Sequence, residues 1–548
     1  MARQAQTPVQ HQRFSRADSA VTMTSGRAGK VYPLAYIPLL RGDSASGRVA
    51  FDFELAEMPR PLLNGVAVNV QAWCVPKSAF PQFAGADEFM NSYQGEVIRA
   101  LGQPDRNPPP FFQTVSDPAL VTTVKQSEFF KTLGIHVPAG EVINTDLLDA
   151  FVLVYNFRLA AHSSRLGLKP FAGENLAAAL QLPRAFWPSG RFSRVVPDYE
   201  RALIVGALDL DVSAGQLPIS GISRIGGNRA KVDSHVVADA SSVKLGDFST
   251  LPGYGVKFDL AAAGSNIFAE MANASIGVTL ADIDKARTTQ AFAKLRTAYA
   301  GNKTTPYAND DAIVATLMQG LRVPDDAFRR PFLLDSARVP VGFAERFATD
   351  GANLDASVTQ GRASGSLSLN VPALDSGGVI IVTAEMLPER LDERQTDEWL
   401  HVADVSELPD ALRDIQNPEP VDLVVARRLD AAHSTPDALY GYEPLNDKWN
   451  RAFTRLGGSF FQPDPANPWT EQRSAIWQTS IVDPAFSADH FLAPADFPHD
   501  VFSDTTAPAF EVVVRHSVAI SGLTVIGDVL TENNDDYDAI SGDDEVTP

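Results

Sequence analysis

One cysteine, Cys74, stands among 548 residues, so no internal disulfide can form and stability has to come from burial and assembly. No apolar run approaches the ~18 residues that cross a bilayer, which speaks against membrane insertion by a helix. The opening stretch MARQAQTPVQHQRFSR lacks the apolar core of a secretory signal, and synthesis in a reducing cytoplasm is expected. Positive charge is scarce: 46 Lys and Arg face 67 Asp and Glu, and the net charge of −21 is too negative for a protein that coats nucleic acid over its whole surface. Familiar chemical motifs are missing too. There is no Walker loop, no G-x-G-x-x-G and no G-x-S-x-G. None of the nine histidines stands four residues from another, as helical metal ligands do, and a lone cysteine cannot build a structural zinc site. No cofactor, metal or catalytic residue is therefore assigned. Carboxylates are abundant enough for some pair to act as acid and base, so a phage or bacterial β-sandwich glycan hydrolase stays open as an alternative.

What the chain does contain is β-pattern at its two ends. Val49 to Leu55 alternates strictly, with Asp52 and Glu54 opposite Val49, Phe51, Phe53 and Leu55. Val66 to Val75 alternates around Asn69 and Gln71 and stops at Pro76, and Pro59, Pro61 and Asn64-Gly65 supply turn chemistry between the two strands. Near the other end, Ser366–Val371 alternates, Gly378–Glu385 is a continuous β-branched run, and Phe510–Arg515 with Val518–Val529 reads as a closing pair. Helices are expected between the ends: a short one within Asp87–Leu101, a buried one over Asp146–Leu159 with Asp146 as N-cap, an amphipathic one over Thr279–Ala300 and a short one over Asp311–Leu321. Gly167–Val278 reads as irregular and Val323–Pro340 as proline-broken loop. Mainly β structure with neighbouring strands far apart in sequence is the layout of a Greek key or jelly roll with long insertion loops containing a few α-helices.

The termini differ in sign. Residues 1–30 carry Arg3, Arg13, Arg16, Arg27 and Lys30 against Asp18 alone, whereas 531–548 holds Glu532, Asp535, Asp536, Asp538, Asp543, Asp544 and Glu545 and no base. Two solvated ends would explain this; so would a basic N-terminal arm whose five cations face phosphate. Arg41-Gly42-Asp43 spells an adhesion tripeptide and is equally a tight-turn signal. The six tryptophans, Trp73, Trp187, Trp399, Trp449, Trp469 and Trp477, suit stacking on sugars or bases as well as core and subunit contacts, which keeps a carbohydrate-binding adhesin in view.

Several blocks, taken in order, resemble the major capsid protein of microviruses, the tailless icosahedral phages with single-stranded DNA, and more nearly the gokushovirus-like branch. They are Gly42-Asp43-Ser44 before an alternating strand and Pro61-Leu62; the V-x-V-x-x-W-C-V-P run of Val68–Pro76; Asp198-Tyr199-Glu200-Arg201-Ala202-Leu203 followed by Leu217-Pro218-Ile219; Ala281-Asp282-Ile283 through Phe292-Ala293-Lys294-Leu295, with Tyr307 beyond; Arg330-Pro331-Phe332-Leu333; and Tyr440-Gly441-Tyr442-Glu443 with Trp449. Tyr155-Asn156-Phe157 departs from the family's N-E-W, and Gly206–Ala262 follows no family pattern. The resemblance implies an eight-stranded antiparallel viral jelly roll over 31–530, with insertions at about 84–365 and 390–505, closing as a T=1 shell around a circular single-stranded DNA genome. It implies a virion protein assembled in the host bacterial cytoplasm. Its partners would be copies of itself, the genome, a host cell-surface receptor, and a small basic DNA-binding peptide or minor and spike proteins.

Overall fold

The computed structural model describes residues 12–197 and 329–527, each with short breaks (the longest are 348–356, 411–420 and 462–475), and a few short paired segments between 217 and 269. The chain divides into two units: Met1–Ala202 with Lys294–Pro548, and Leu203–Ala293. In the smaller unit the described backbone consists of short antiparallel ladders, among them Gly221–Ser223 against Arg229–Lys231 and Val243–Lys244 against Lys257–Phe258.

The larger unit is mainly β. Among the described residues its eight long strands are β1 (Phe14–Gly26), β2 (Val31–Leu39), β3 (Ser44–Leu55), β4 (Val66–Pro76), β5 (Phe332–Pro340), β6 (Ser357–Val371), β7 (Gly378–Pro388) and β8 (Phe510–Gly522). They form two antiparallel sheets. The first has the order β1-β8-β3-β6, with the short strand Gly342–Phe347 at its far edge; the second has the order β5-β4-β7-β2. Both sheets and a helix packed on the second of them share one hydrophobic core.

Periodicity explains which faces meet. In β3, Val49, Phe51, Phe53 and Leu55 are buried while Arg48 and Glu54 are exposed, and in β8 the buried set is Phe510, Val512, Val514, Val518 and Ile520. Phe510 seats against Tyr32 and Phe53, each with ring centroids 5.4 Å away, which locks the two sheets together at that end. β7 does not alternate, and from Val379 onward both of its faces are buried. The second face is covered by a helix. Of the helices α1 (Ala86–Gln94), α2 (Glu128–Leu133), α3 (Asp146–His162) and α4 (Leu176–Leu180), α3 is apolar all round, a pattern that demands burial on every side. Phe157 of α3 packs 5.8 Å from Trp73 of β4, and Arg158 pairs at 2.6 Å with Glu385 of β7. Glu385 is tolerated inside because Asn69 (2.7 Å) and the backbone N–H of Phe186 (3.2 Å) complete its hydrogen bonds.

Edges obey their own chemistry. β2 contains Pro33 and Pro38, which lack a ladder donor, and it lies at the rim of its sheet, where the missing donor costs no pairing. β1 pairs with β8 along its whole length, from Phe14 opposite Gly522 to Gly26 opposite Phe510, and forms the rim of the other sheet.

Several expectations are revised. The closing pair of strands is one strand: Arg515-His516-Ser517 interrupts the apolar pattern without breaking the ladder, because His516 turns inward and its Nε2 lies 3.0 Å from Asp18. Val323–Pro340 is loop only in part, since Phe332–Pro340 is β5, with Pro331 and Pro340 at its boundaries. The N-cap of α3 is Thr145 and not Asp146; Asp146 lies in the first turn, paired with Lys77. α1 ends at Gln94, where Gly95 at φ +71° stops it. The expected arm over 1–30 is, from Phe14 to Gly26, strand rather than free chain. The helices expected over Thr279–Ala300 and Asp311–Leu321 lie outside the described residues, as does the acidic segment 531–548.

Candidate functional site

Of the five cations expected to face phosphate, Arg3 lies outside the described residues, and the other four have partners within the chain. Arg13 donates to the carbonyl of Gly42 (2.7 Å) and Arg16 pairs with Asp43 (2.5 Å). Arg27 donates to the carbonyls of Thr505 and Thr506 (3.1 Å each), and Lys30 pairs with Glu128 (3.1 Å). The structure does not gather them into one patch. Arg13 and Arg16 lie at the start of β1 and Arg27 and Lys30 beyond its end, about 40 Å apart at the usual rise of an extended strand.

Arg41-Gly42-Asp43 is a turn. Gly42 has φ +79°, its N–H donates to Leu374 (2.6 Å), and Asp43 is fully buried, accepting from the N–H of Leu40 (2.7 Å) as well as from Arg16. A cell-surface receptor reading the tripeptide could not reach that carboxylate.

The same end of the sandwich carries a cleft of about 1100 Å³. Four pieces of chain converge on it: the β2–β3 turn, the residue after β4, the β6–β7 turn, and the segment leaving β8 at Leu523. Insertion residues close the other side, among them the aromatic Tyr93, Phe111 and Phe112 beside Asn144, Asp146 and Leu147. Tyr93 and Phe112 are half exposed, and Tyr36 of β2 presents its ring from the opposite wall. Arg41 stacks 4.8 Å above the Tyr93 ring. At the floor Lys77 is buried, with its ammonium 4.4 Å from Phe80, 4.8 Å from Phe112 and 5.0 Å from Phe111, and 2.5 Å from Asp146. Burial pushes the Lys77 pKa down and those of Asp146 and its neighbour Asp149 up; the attraction between Lys77 and Asp146 opposes both shifts. One oxygen of Asp146, Oδ1, is buried and has no hydrogen-bond partner. Flat rings beside fixed positive charge are suited to holding planar groups, such as nucleobases.

Pro76 at the end of a strand and the Pro-Pro-Pro-Phe-Phe run hold the sequence signal for this cleft, yet neither says that Lys77 and Phe112 meet. Among the described residues no group of three His, Cys, Asp or Glu is close enough to hold a metal ion, and no helix is long and apolar enough to cross a membrane. Of the tryptophans, Trp73 and Trp477 are in the core, whereas Trp399 is 66% exposed; Trp469 lies outside the described residues. No protein-family model matches the chain, and no curated protein does.

Proposed function

We propose that this chain is the major capsid protein of a microvirus-like phage, and that its eight strands are those of a viral jelly roll. The observation that carries the proposal is strand order. A jelly roll with strands lettered B to I arranges them as B-I-D-G and C-H-E-F. Giving β1 to β8 those letters in sequence yields β1-β8-β3-β6 and β2-β7-β4-β5, which are the neighbour relations of the two sheets.

The distribution of the extra chain supports the same reading. Turns such as 27–30, 40–43 and 372–377 are short, and the added length sits at two crossings, 77–331 and 389–509. Part of each insertion completes the core, as α3 and Trp477 do; the remaining length is available for contact with neighbouring copies and for display toward a host receptor. The rim strand β1 adds to this. It is thirteen residues long, lacks proline, and exposes Val21 (56%) and Met23 (73%), an edge that natural proteins keep covered. In this proposal copies of the chain form a T=1 shell around a circular single-stranded DNA genome in the host bacterial cytoplasm. With all four described N-terminal cations partnered internally, phosphate is neutralised by the chain before Arg13 and by a separate basic peptide.

Electron microscopy with sedimentation of the purified protein tests the proposal. Closed spheres of roughly 3.5 MDa, about sixty copies of 59.1 kDa, are expected. A protein that stays monomeric across salt and pH, with or without single-stranded DNA, would refute it.

A further inference from the structure

At the floor of the cleft, Lys77 and Asp146 meet with almost no water around them. Nζ lies 2.5 Å from Oδ2, and only 5% and 12% of the two side chains are exposed. Four phenylalanine rings surround the ammonium: Phe80, Phe112 and Phe111 at 4.4, 4.8 and 5.0 Å, and Phe83 at 6.0 Å. These rings take the place of hydration, so both ions give up solvation that their mutual attraction returns only in part.

The backbone fixes the two groups against each other. Lys77 follows β4 directly, in the single turn Lys77–Ala79, and its backbone N–H donates to the carbonyl of Gly377 (3.0 Å). Asp146 stands in the first turn of α3. The next carboxylate along that helix, Asp149, is committed elsewhere: it accepts from Thr145 Oγ1 (2.8 Å) and from the backbone N–H of Ala172 (2.9 Å). Among the described residues Asp146 is thus the one carboxylate bonded to Nζ. Its other oxygen, Oδ1, is buried without a hydrogen-bond partner, so the ammonium alone holds this carboxylate in its ionised form.

We infer that Lys77 and Asp146 condense to an intramolecular amide, a covalent cross-link between the sandwich and the helix of its first insertion. The proton on Nζ passes along the 2.5 Å contact to Oδ2 and leaves a neutral amine beside a neutral carboxyl. The amine lone pair then adds to Cγ. The Nζ–Cγ bond forms, the Cγ–Oδ2 bond breaks, and Oδ2 departs as water with two of the three Nζ protons, while Oδ1 becomes the amide carbonyl. No oxidant, reductant or further reactant enters. Burial pushes the Lys77 pKa down and the Asp146 pKa up, which raises the share of the neutral pair. Burial favours the product too, because one amide is far cheaper to keep among phenylalanines than two ions. Both residues line the cleft, which gives the released water a way out. With no third group bonded to Nζ to relay the proton, conversion is slower than folding, and the newly folded chain carries the ion pair. The inference stands on these residues alone and does not require the shell.

Intact-mass spectrometry of the full-length protein, followed for several days after purification at neutral pH and room temperature, tests it. The mass should fall by one water, and tryptic digestion with fragmentation should give one branched peptide that joins Lys77 to Asp146. Lys77→Arg keeps the charge but lacks the nucleophilic amine, so its mass should stay constant. A parent mass that never changes, a loss of water confined to one linear peptide, as cyclisation of an aspartate gives, or an equal loss in Lys77→Arg would overturn the inference.

Discussion

His490 should make the protein markedly acid-sensitive. The ring is buried, 6% exposed, with Nε2 2.8 Å from the carbonyl of Phe192 and Nδ1 2.8 Å from the hydroxyl of Tyr440. A carbonyl only accepts, so Nε2 carries the proton and Nδ1 accepts from Tyr440; the neutral ring is fully satisfied. A second proton would bring charge into an apolar site lined by Phe486 and Phe491, with the Arg390 guanidinium bonded at 2.9 Å to the carbonyl of His490 itself. Burial first, and Arg390 next, lower the pKa from 6.5 to about 4. Because the folded value lies below the unfolded one, the folded state binds fewer protons between them. Stability is therefore complete above pH 6.5 and lost as the pH falls toward 4. The difference is worth about 3 kcal/mol. Urea unfolding followed by tryptophan fluorescence, at pH 7.5 and pH 4, isolates this contribution when the parent is compared with His490→Gln, since acid effects elsewhere are common to both. The parent should lose about 3 kcal/mol more than the variant between the two pH values. An equal loss in both would show that the ring is hydrated or already charged, and the argument from burial would fail.

Three further outcomes are expected. Lys77→Met alone, or Asp146→Leu alone, strands a buried charge and should cost about 3–5 kcal/mol in urea unfolding, whereas the double replacement should cost much less; additive losses would contradict a coupled pair. Removal of residues 1–11 should leave a folded protein by circular dichroism and gel filtration. Removal of 1–30 takes away β1, exposes the edge of β8 and should give aggregates, and a soluble monomer from that deletion would show that β1 is dispensable.

Much of the core was legible because its signal is local. Val49–Leu55 and Val66–Val75 alternate within a few residues, and the all-round apolar surface of Asp146–Leu159 gave away a buried helix; the structure extends each rather than moving it. Rim strands were harder. FSRADSAVTMTSG buries little on either face, so β1 has no strong period to read, and its pairing with a strand some five hundred residues later leaves no trace nearby. β5, another rim, hid between two prolines for the same reason.

The sites divide in the same way. Composition and charge sign were enough to argue against a surface that binds nucleic acid all over and to point to a chain with ordinary burial and no internal disulfide. Only the folded chain shows that Arg16 is spent on Asp43, that Lys77 lies among three phenylalanines, and that Trp399 and Trp449 share a pocket. Periodicity along the chain sets which side of a segment faces inward, because that depends on neighbours a few residues away. Which segments then meet, and which charges are consumed when they do, depends on the register of strands hundreds of residues apart, and tertiary packing alone decides it.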